Sequence, residues 1–225
     1  MKYPNIQKGI FVNRPNRFVA YAELDFEVVK CHVKNTGRLR ELLVPGAVCY
    51  LTRSDNPNRT TAYDLVAVER DGQIVNIDSM APNAVAREYL STLFPDASIK
   101  AEVCFGDSRF DFMVKNEQMT TFVEVKGVTL QEGTIARFPD APTERGVKHI
   151  KELIAAKGKG YGAMLLFVVA MQGVTCVAPN AITHPAFAEV LRQAEACGVT
   201  LCAIDCLVQK EGIVPRNLLP VRVDL

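Results

Sequence analysis

The sequence predicts an α/β chain, α+β overall: a small N-terminal β-barrel followed by a mixed sheet flanked by helices. Three observations carry that prediction. Up to Asp78 the apolar residues fall in short β-rich segments separated by turn signals. Beyond Asp78, helical and strand patterns alternate. Within that second part, Gly162 to Ala170 is a continuous apolar run, as expected of a strand buried on both faces.

The first part reads as five strands: Phe18 to Phe26, Val28 to Val33, Ala47 to Thr52, Ala62 to Glu69 and Gln73 to Ile77. Pro45-Gly46 and Asp71-Gly72 supply turns, and Asp71-Gly72 is a hairpin signal. Leu39 to Leu43 fits a short helical turn. Strands of this spacing suit a small barrel; the oligonucleotide-binding (OB) fold is one common case, and an SH3-like barrel fits as well. Residues 79–83 read as a connection, giving domains of 1–80 and 81–225. A helix follows over Ala84 to Phe94, with Val85, Tyr89, Leu90 and Leu93 as its apolar stripe. Strands follow near Ile99 to Phe105, Arg109 to Val114 and Thr121 to Val128. Pro142 marks the start of a helix over Thr143 to Lys157, striped by Val147, Ile150 and Ile154. After the apolar run, a helix spans His184 to Ala196 and ends at Gly198. Val199 to Leu207 is the next buried strand. His184, beside Pro185 at a helix start, reads as structural.

Composition is that of a globular chain: 225 residues, 48% hydrophobic, 23% charged, net charge +1. Collagen-like, coiled-coil and disordered classes are excluded. The best apolar run, Ala163 to Met171, is far short of the roughly 20 residues that span a bilayer. The first residues lack the apolar core of a secretion signal, so the expectation is a cytoplasmic protein with no membrane partner. Seven cysteines without a C-x-x-C pair read as reduced, mostly buried thiols. Charge is uneven: residues 1–60 hold ten Lys and Arg against five Asp and Glu, and the remainder holds 16 against 20. A basic first quarter suits a polyanion, or a solvated surface of mixed charge.

The segment Phe122-Val123-Glu124-Val125-Lys126-Gly127 carries the sharpest chemical signal. Strand period places Glu124 and Lys126 on one face of an apolar strand, which is costly unless they pair or bind something. Asp111 stands alone among apolar residues in the preceding strand, and a hairpin would bring it beside Glu124. Two converging carboxylates repel, and a hard divalent cation relieves that repulsion. Lys126 would then orient a nucleophile or stabilise phosphorane charge. A plain Glu124–Lys126 ion pair is the other reading. In the second helix, Arg145, Lys148 and His149 share one side, opposite the apolar stripe, where an anion would dock. Near the N-terminus, Arg14 and Arg17, and the turn carrying Asn35, Gly37 and Arg38, have the residue types that grip phosphates. Phe11, Phe18, Tyr21 and Tyr50 offer stacking surfaces or core packing.

These residues resemble the sugar fermentation stimulation protein A (SfsA) family. The matching segments are Arg17-Phe18, Asn35-Thr36-Gly37, Pro45-Gly46, Ser54-Asp55-Asn56 and Asp111-Phe112. They continue with Glu124-Val125-Lys126-Gly127-Val128-Thr129-Leu130, Phe138-Pro139-Asp140-Ala141, Thr143-Glu144-Arg145-Gly146 and Lys148-His149. The resemblance implies an OB-like N-terminal domain and a C-terminal domain similar to the PD-(D/E)xK nucleases. It implies DNA binding and a link to sugar (maltose) use. Asp111, Glu124 and Lys126 fall on the nuclease core motif as catalytic residues, with Mg²⁺ or Mn²⁺ on Asp111 and Glu124. Glu88, on the preceding helix, falls where many such nucleases carry an extra acidic ligand. One departure is that the strand start reads Phe110-Asp111 rather than Pro-Asp.

Three functions follow as expectations. The first is a metal-dependent DNA nuclease, a kind compatible with a homodimer. The second is a non-catalytic DNA-binding regulatory protein. The third is a module for another anion such as RNA or a nucleotide. Two retained carboxylates favour the first, and the lack of a helix-turn-helix argues against a conventional repressor.

Overall fold

The computed structural model describes residues 1–56, 58–106 and 108–225. Its first half is a five-stranded closed barrel. Strands β1 (Ile6–Asn13), β2 (Val19–Leu24), β3 (Glu27–Val33), β4 (Val48–Arg53) and β5 (Tyr63–Arg70) run in the order β3-β2-β1-β4-β5. A parallel pairing of β3 with β5, from Cys31↔Tyr63 to Val33↔Leu65, closes the ring. Closure removes the exposed edges that an open sheet would carry. Phe11, Ala20, Ala22, Cys31, Val33, Leu51 and Leu65 fill the interior. The OB expectation holds, with a difference in which five strands close the barrel. β6 (Gln73–Asn76), read from the sequence as the fifth strand, is a hairpin extension of β5. Its Asp71-Gly72 turn has both φ values positive, 51° and 75°, as the hairpin signal requires.

The barrel strand missed in the sequence is β1. Gly9 interrupts its pattern, yet the fold needs glycine there. A Cβ at Gly9 would lie 2.7 Å from both the Glu23 carbonyl oxygen and Leu24 Cδ2.

The second half is a mixed six-stranded sheet, ordered β15-β14-β12-β9-β8-β7. It comprises β7 (Ser98–Phe105), β8 (Ser108–Lys115), β9 (Thr120–Val128), β12 (Gly162–Val169), β14 (Thr200–Gln209) and β15 (Gly212–Leu219). The three central strands β9, β12 and β14 are parallel. All eight residues of β12 are buried, and its side chains divide between two layers. Ala163, Leu165, Phe167 and Val169 face helices α2 (Glu144–Gly158) and α3 (Pro185–Ala196). Met164, Leu166 and Val168 face α1 (Ala81–Leu93). Each fully buried Leu or Phe there contributes roughly 1.5–3 kcal/mol of transfer free energy.

A small sheet of β10 (Leu130–Glu132), β11 (Ile135–Phe138) and β13 (Cys176–Pro179) lies beside the large one. These three strands and β15 were not read from the sequence. The small ones have only three or four residues, and β15 is an edge strand carrying Pro215, which breaks the usual pattern.

α2 begins where its sequence says it should. Thr143 Oγ1 accepts from the Gly146 N–H at 3.0 Å, a side-chain cap. His184 acts structurally, as expected, its Nδ1 accepting the Thr143 N–H at 3.1 Å. The barrel core and the α2/α3 side of the sheet form one continuous apolar cluster. Hydrogen bonds also cross the seam, from Asn76 N to Ala170 O and from Arg38 N to Asp140 Oδ2. Barrel and sheet therefore wall a cleft between them with fixed geometry. Four cysteines are buried, Cys202 is partly so, and Cys104 and Cys197 are exposed; all seven are free thiols.

At the cleft's edge, a Cβ at Gly127 would lie 2.6 Å from Pro82 Cγ, part of a rigid ring at the start of α1. Gly127→Ala should therefore push α1 off β9 and cost about 1–3 kcal/mol, read as a lower urea midpoint; an unchanged midpoint would contradict this packing.

Candidate active site

The β8–β9 hairpin places Asp111 next to Glu124, as the sequence suggested. The ladder runs from Lys115↔Thr120 to Phe112↔Val123 and then stops. Where it stops, the Asp111 side chain takes over: Oδ2 accepts the Val125 N–H at 2.8 Å. Oδ1 accepts from Asn83 Nδ2 on α1 at 2.9 Å. The strand also changes face here. Phe112 and Val114 pack on the α1 side, whereas Phe110 packs with Phe122 on the other. A kink at Asp111 thus turns a sheet position into a site position.

Glu124 is 3% exposed. Its Oε1 accepts from Lys126 Nζ at 2.6 Å and meets His149 Nδ1. Its Oε2 is buried with no partner among the described residues. Burial alone would raise the Glu124 pKa, but the bonds from His149 and Lys126 outweigh it and hold the carboxylate below its ordinary range. Asp111 goes the other way: burial first, then the charge of Glu124, raise its pKa against the bonds from Val125 and Asn83. Two carboxylates pushed apart in this manner mark a functional-site candidate.

Both acids line a cleft of ≈ 420 Å³. The barrel contributes Asn35, Thr36 and Asp78; α1 contributes Asn83; the start of α2 contributes Thr143, Arg145 and Gly146. Lys126 lies on the same wall as Glu124.

Three expectations are corrected. His149 is not on a DNA-facing surface; it is buried and bonded to Glu124. The buried stripe of α2 runs through Gly146, Ile150, Leu153 and Ala156, and His149 falls inside it. Drawing the stripe through those residues, rather than through Ile154, would have found it. Arg14 is not free to hold phosphate. Its guanidinium donates to the carbonyls of Arg17, Asn35, Gly37 and Arg38 at 2.6–3.3 Å, clamping the loop. Glu88 does not join Asp111 and Glu124. It is half exposed on α1, its Oε2 3.9 Å from the N-terminal ammonium, and it is absent from the cleft lining. Among the described residues no group of three His, Cys, Asp or Glu gathers for a metal.

The remaining candidates lie as follows. Arg17 and Arg38 are exposed near the barrel loop, where Asn35 Oδ1 accepts the Gly37 N–H at 2.8 Å. Arg145 is exposed, its Nε donating to His149 Nε2 at 3.4 Å. Lys148 is exposed beside it. Of the aromatic candidates, Phe11 and Tyr50 are core residues, Tyr21 is half-buried and Phe18 is exposed. Asn83 was not singled out in the sequence; helical Asn carries no signal for such a role.

Comparison with known proteins agrees with the fold. A family model described as the sugar fermentation stimulation protein RE domain matches residues 79–212. A second, the SfsA N-terminal OB domain, matches 12–77. A sugar fermentation stimulation protein homolog of Ruminiclostridium cellulolyticum is 47% identical over 226 residues, covering 99% of this chain and all of that protein. One from Clostridium beijerinckii is 46% identical over 224 residues, covering 98% and 99%. The solved structure of Pyrococcus furiosus SfsA in complex with Ca²⁺ superposes with a TM-score of 0.89 at 31% identity, covering 99% of this chain and 98% of that one.

Glu124 couples charge to stability. Because its folded pKa is depressed, its contribution is full above the unfolded value and is lost as pH falls through the folded one. Glu124→Gln should cost about 3 kcal/mol at pH 7. The gap from wild type should begin to narrow below the ordinary glutamate value of about 4.3 and close only as pH falls through the depressed folded one. Urea titrations at pH 7 and at steps down through the acid range check it, and a pH-independent gap would refute the ion-pair account.

Proposed function

The chain belongs to the sugar fermentation stimulation protein family, and from that premise we propose that it is a DNA-binding protein whose cleft hydrolyses phosphodiester bonds with a divalent metal. The observation that carries this reading is Glu124 Oε2, a buried carboxylate oxygen without a partner among the described residues, on the strand next to Asp111. Such an oxygen is costly to keep unless a cation meets it. Two carboxylates suit Mg²⁺ or Mn²⁺: Mg²⁺ is held by one or two carboxylates plus water and phosphate oxygens. The Ca²⁺ complex of the Pyrococcus relative supports a divalent cation. When bound to Asp111 and Glu124, the metal would polarise the phosphate and lower the pKa of a bound water.

The chain's own residues do the rest. His149 and Lys126 occupy Glu124 Oε1 and so leave Oε2 for the metal. Asn83 and the Val125 N–H fix the Asp111 carboxylate. Lys126 orients the nucleophile or balances charge building on phosphorus. Arg145 stands in the cleft lining to receive a phosphate oxygen. Seven free thiols accord with a reducing, cytoplasmic setting. No helix among the described residues is long and apolar enough to cross a membrane. A non-catalytic DNA-binding regulator of sugar use is the second reading. On its side stands Glu88, which lies outside the cleft and leaves two carboxylates rather than three.

Incubation of single-stranded, duplex and branched DNA with Mg²⁺ or Mn²⁺ tests the proposal. Asp111→Asn, Glu124→Gln and Lys126→Ala should each lower cleavage at least about 100-fold. His149→Ala, which removes a carboxylate's orienting partner, should weaken Mn²⁺ affinity about 10–100-fold by calorimetry. Salt-sensitive binding without cleavage of any substrate would give the answer to the second reading.

A further inference from the structure

We propose that the strand delivered to this site is single-stranded DNA, lying along an arginine-lined trough on the barrel. This rests on the nuclease reading for what happens at Glu124, but binding is measured separately from cleavage.

Three clefts meet at the Asn35–Arg38 loop. The catalytic cleft includes Asn35 and Thr36. A second cleft, of ≈ 390 Å³, runs over the barrel and is lined by Arg14, Arg17, Arg38 and Arg40. A third, of ≈ 520 Å³, shares Arg17 and Arg38 with the second, and Gly127 and Thr143 with the first. Together they trace a path from Arg40 to Glu124. Arg17, Arg38 and Arg40 are exposed along it. Arg14 lies behind them, its guanidinium committed to the loop carbonyls. Two acids outside the Asp111–Glu124 pair also line the path: Asp140, its Oδ2 accepting the Arg38 N–H, and Asp78. Guanidinium groups along a groove beside an OB barrel suit a nucleic-acid backbone.

The walls decide between one strand and two. The catalytic carboxylate is at the floor of a cleft bounded by the barrel and by the start of α2. The barrel wall cannot swing away cheaply. Arg14 bonds four of its carbonyls, Ser79 Oγ donates to Lys34 O at 2.9 Å, and Arg38 N holds Asp140. Gly37 sits so close that a Cβ there would lie 2.7 Å from Asp140 Oδ2. A single strand has one backbone and bends to lower a phosphate to that floor. A duplex brings a second backbone against the walls before its phosphate arrives.

The test is fluorescence anisotropy in EDTA, with a labelled oligodeoxythymidine and the matching dA·dT duplex over a range of salt. Wild type should bind the single strand at least ten-fold more tightly. An Arg17→Ala/Arg38→Ala double variant should lose ten-fold or more for the single strand. Its salt slope should fall by about 1.4, the value for two phosphate contacts on a single strand. Arg192→Ala, on α3 and paired with Glu189, should bind as wild type. Equal or tighter duplex binding, or wild-type binding by the double variant with an unaltered melting temperature, overturns the proposal. Single-strand preference with no cleavage in Mg²⁺ or Mn²⁺ would refute the nuclease reading and leave this one standing.

Discussion

A carboxylate at the bottom of a cleft has to be compensated, and the placement of Glu124 imposes that requirement on its surroundings. One oxygen is satisfied from two directions, by Lys126 along the strand and by His149 from α2. The other has no partner among the described residues. Half-compensation of this kind is a poor way to build a core and a good way to keep an affinity for cations. It also explains why the strand around it is so apolar. Phe122, Val123 and Val125 anchor β9 in both core layers, so the charged positions are held by packing that does not depend on them.

The barrel adds the second constraint. Its core runs without interruption into the layer under α2 and α3. A barrel joined by a flexible linker could reorient; this one is fixed in register with the sheet. The loop carrying Asn35 to Arg38 is therefore a wall of the site and not an appendage near it. Arg14 makes that wall rigid, spending its guanidinium on main-chain carbonyls, and burial leaves its pKa lowered despite the nearby Asp140.

Much of this was legible in the sequence because the signals were strong and local. The doubly buried β12, the three helices and the β8–β9 hairpin follow from apolar period and turn chemistry. Asp111 and Glu124 stood out because carboxylates are expensive among Phe and Val. What was not legible depended on tertiary approach. β1 was hidden by Gly9, whose reason is the crowding of another strand. His149 has the composition of a surface ligand, and only the rotation of α2 against β9 makes it a partner of Glu124. Arg14 and Glu88 are ordinary charges whose roles are set by which loop or terminus happens to fold beside them.

The Asp111–Val125 bond has a consequence for observing the site. The Val125 amide proton is held by a side-chain carboxylate where the ladder from β8 has ended. Its solvent exchange and its nitrogen chemical shift are thus tied to the electron density on Asp111, not to strand pairing. Any cation or proton that draws on that carboxylate will be registered one bond away, at a main-chain nucleus visible in an amide correlation spectrum. The site carries its own spectroscopic reporter, which needs no label beyond ¹⁵N and no turnover.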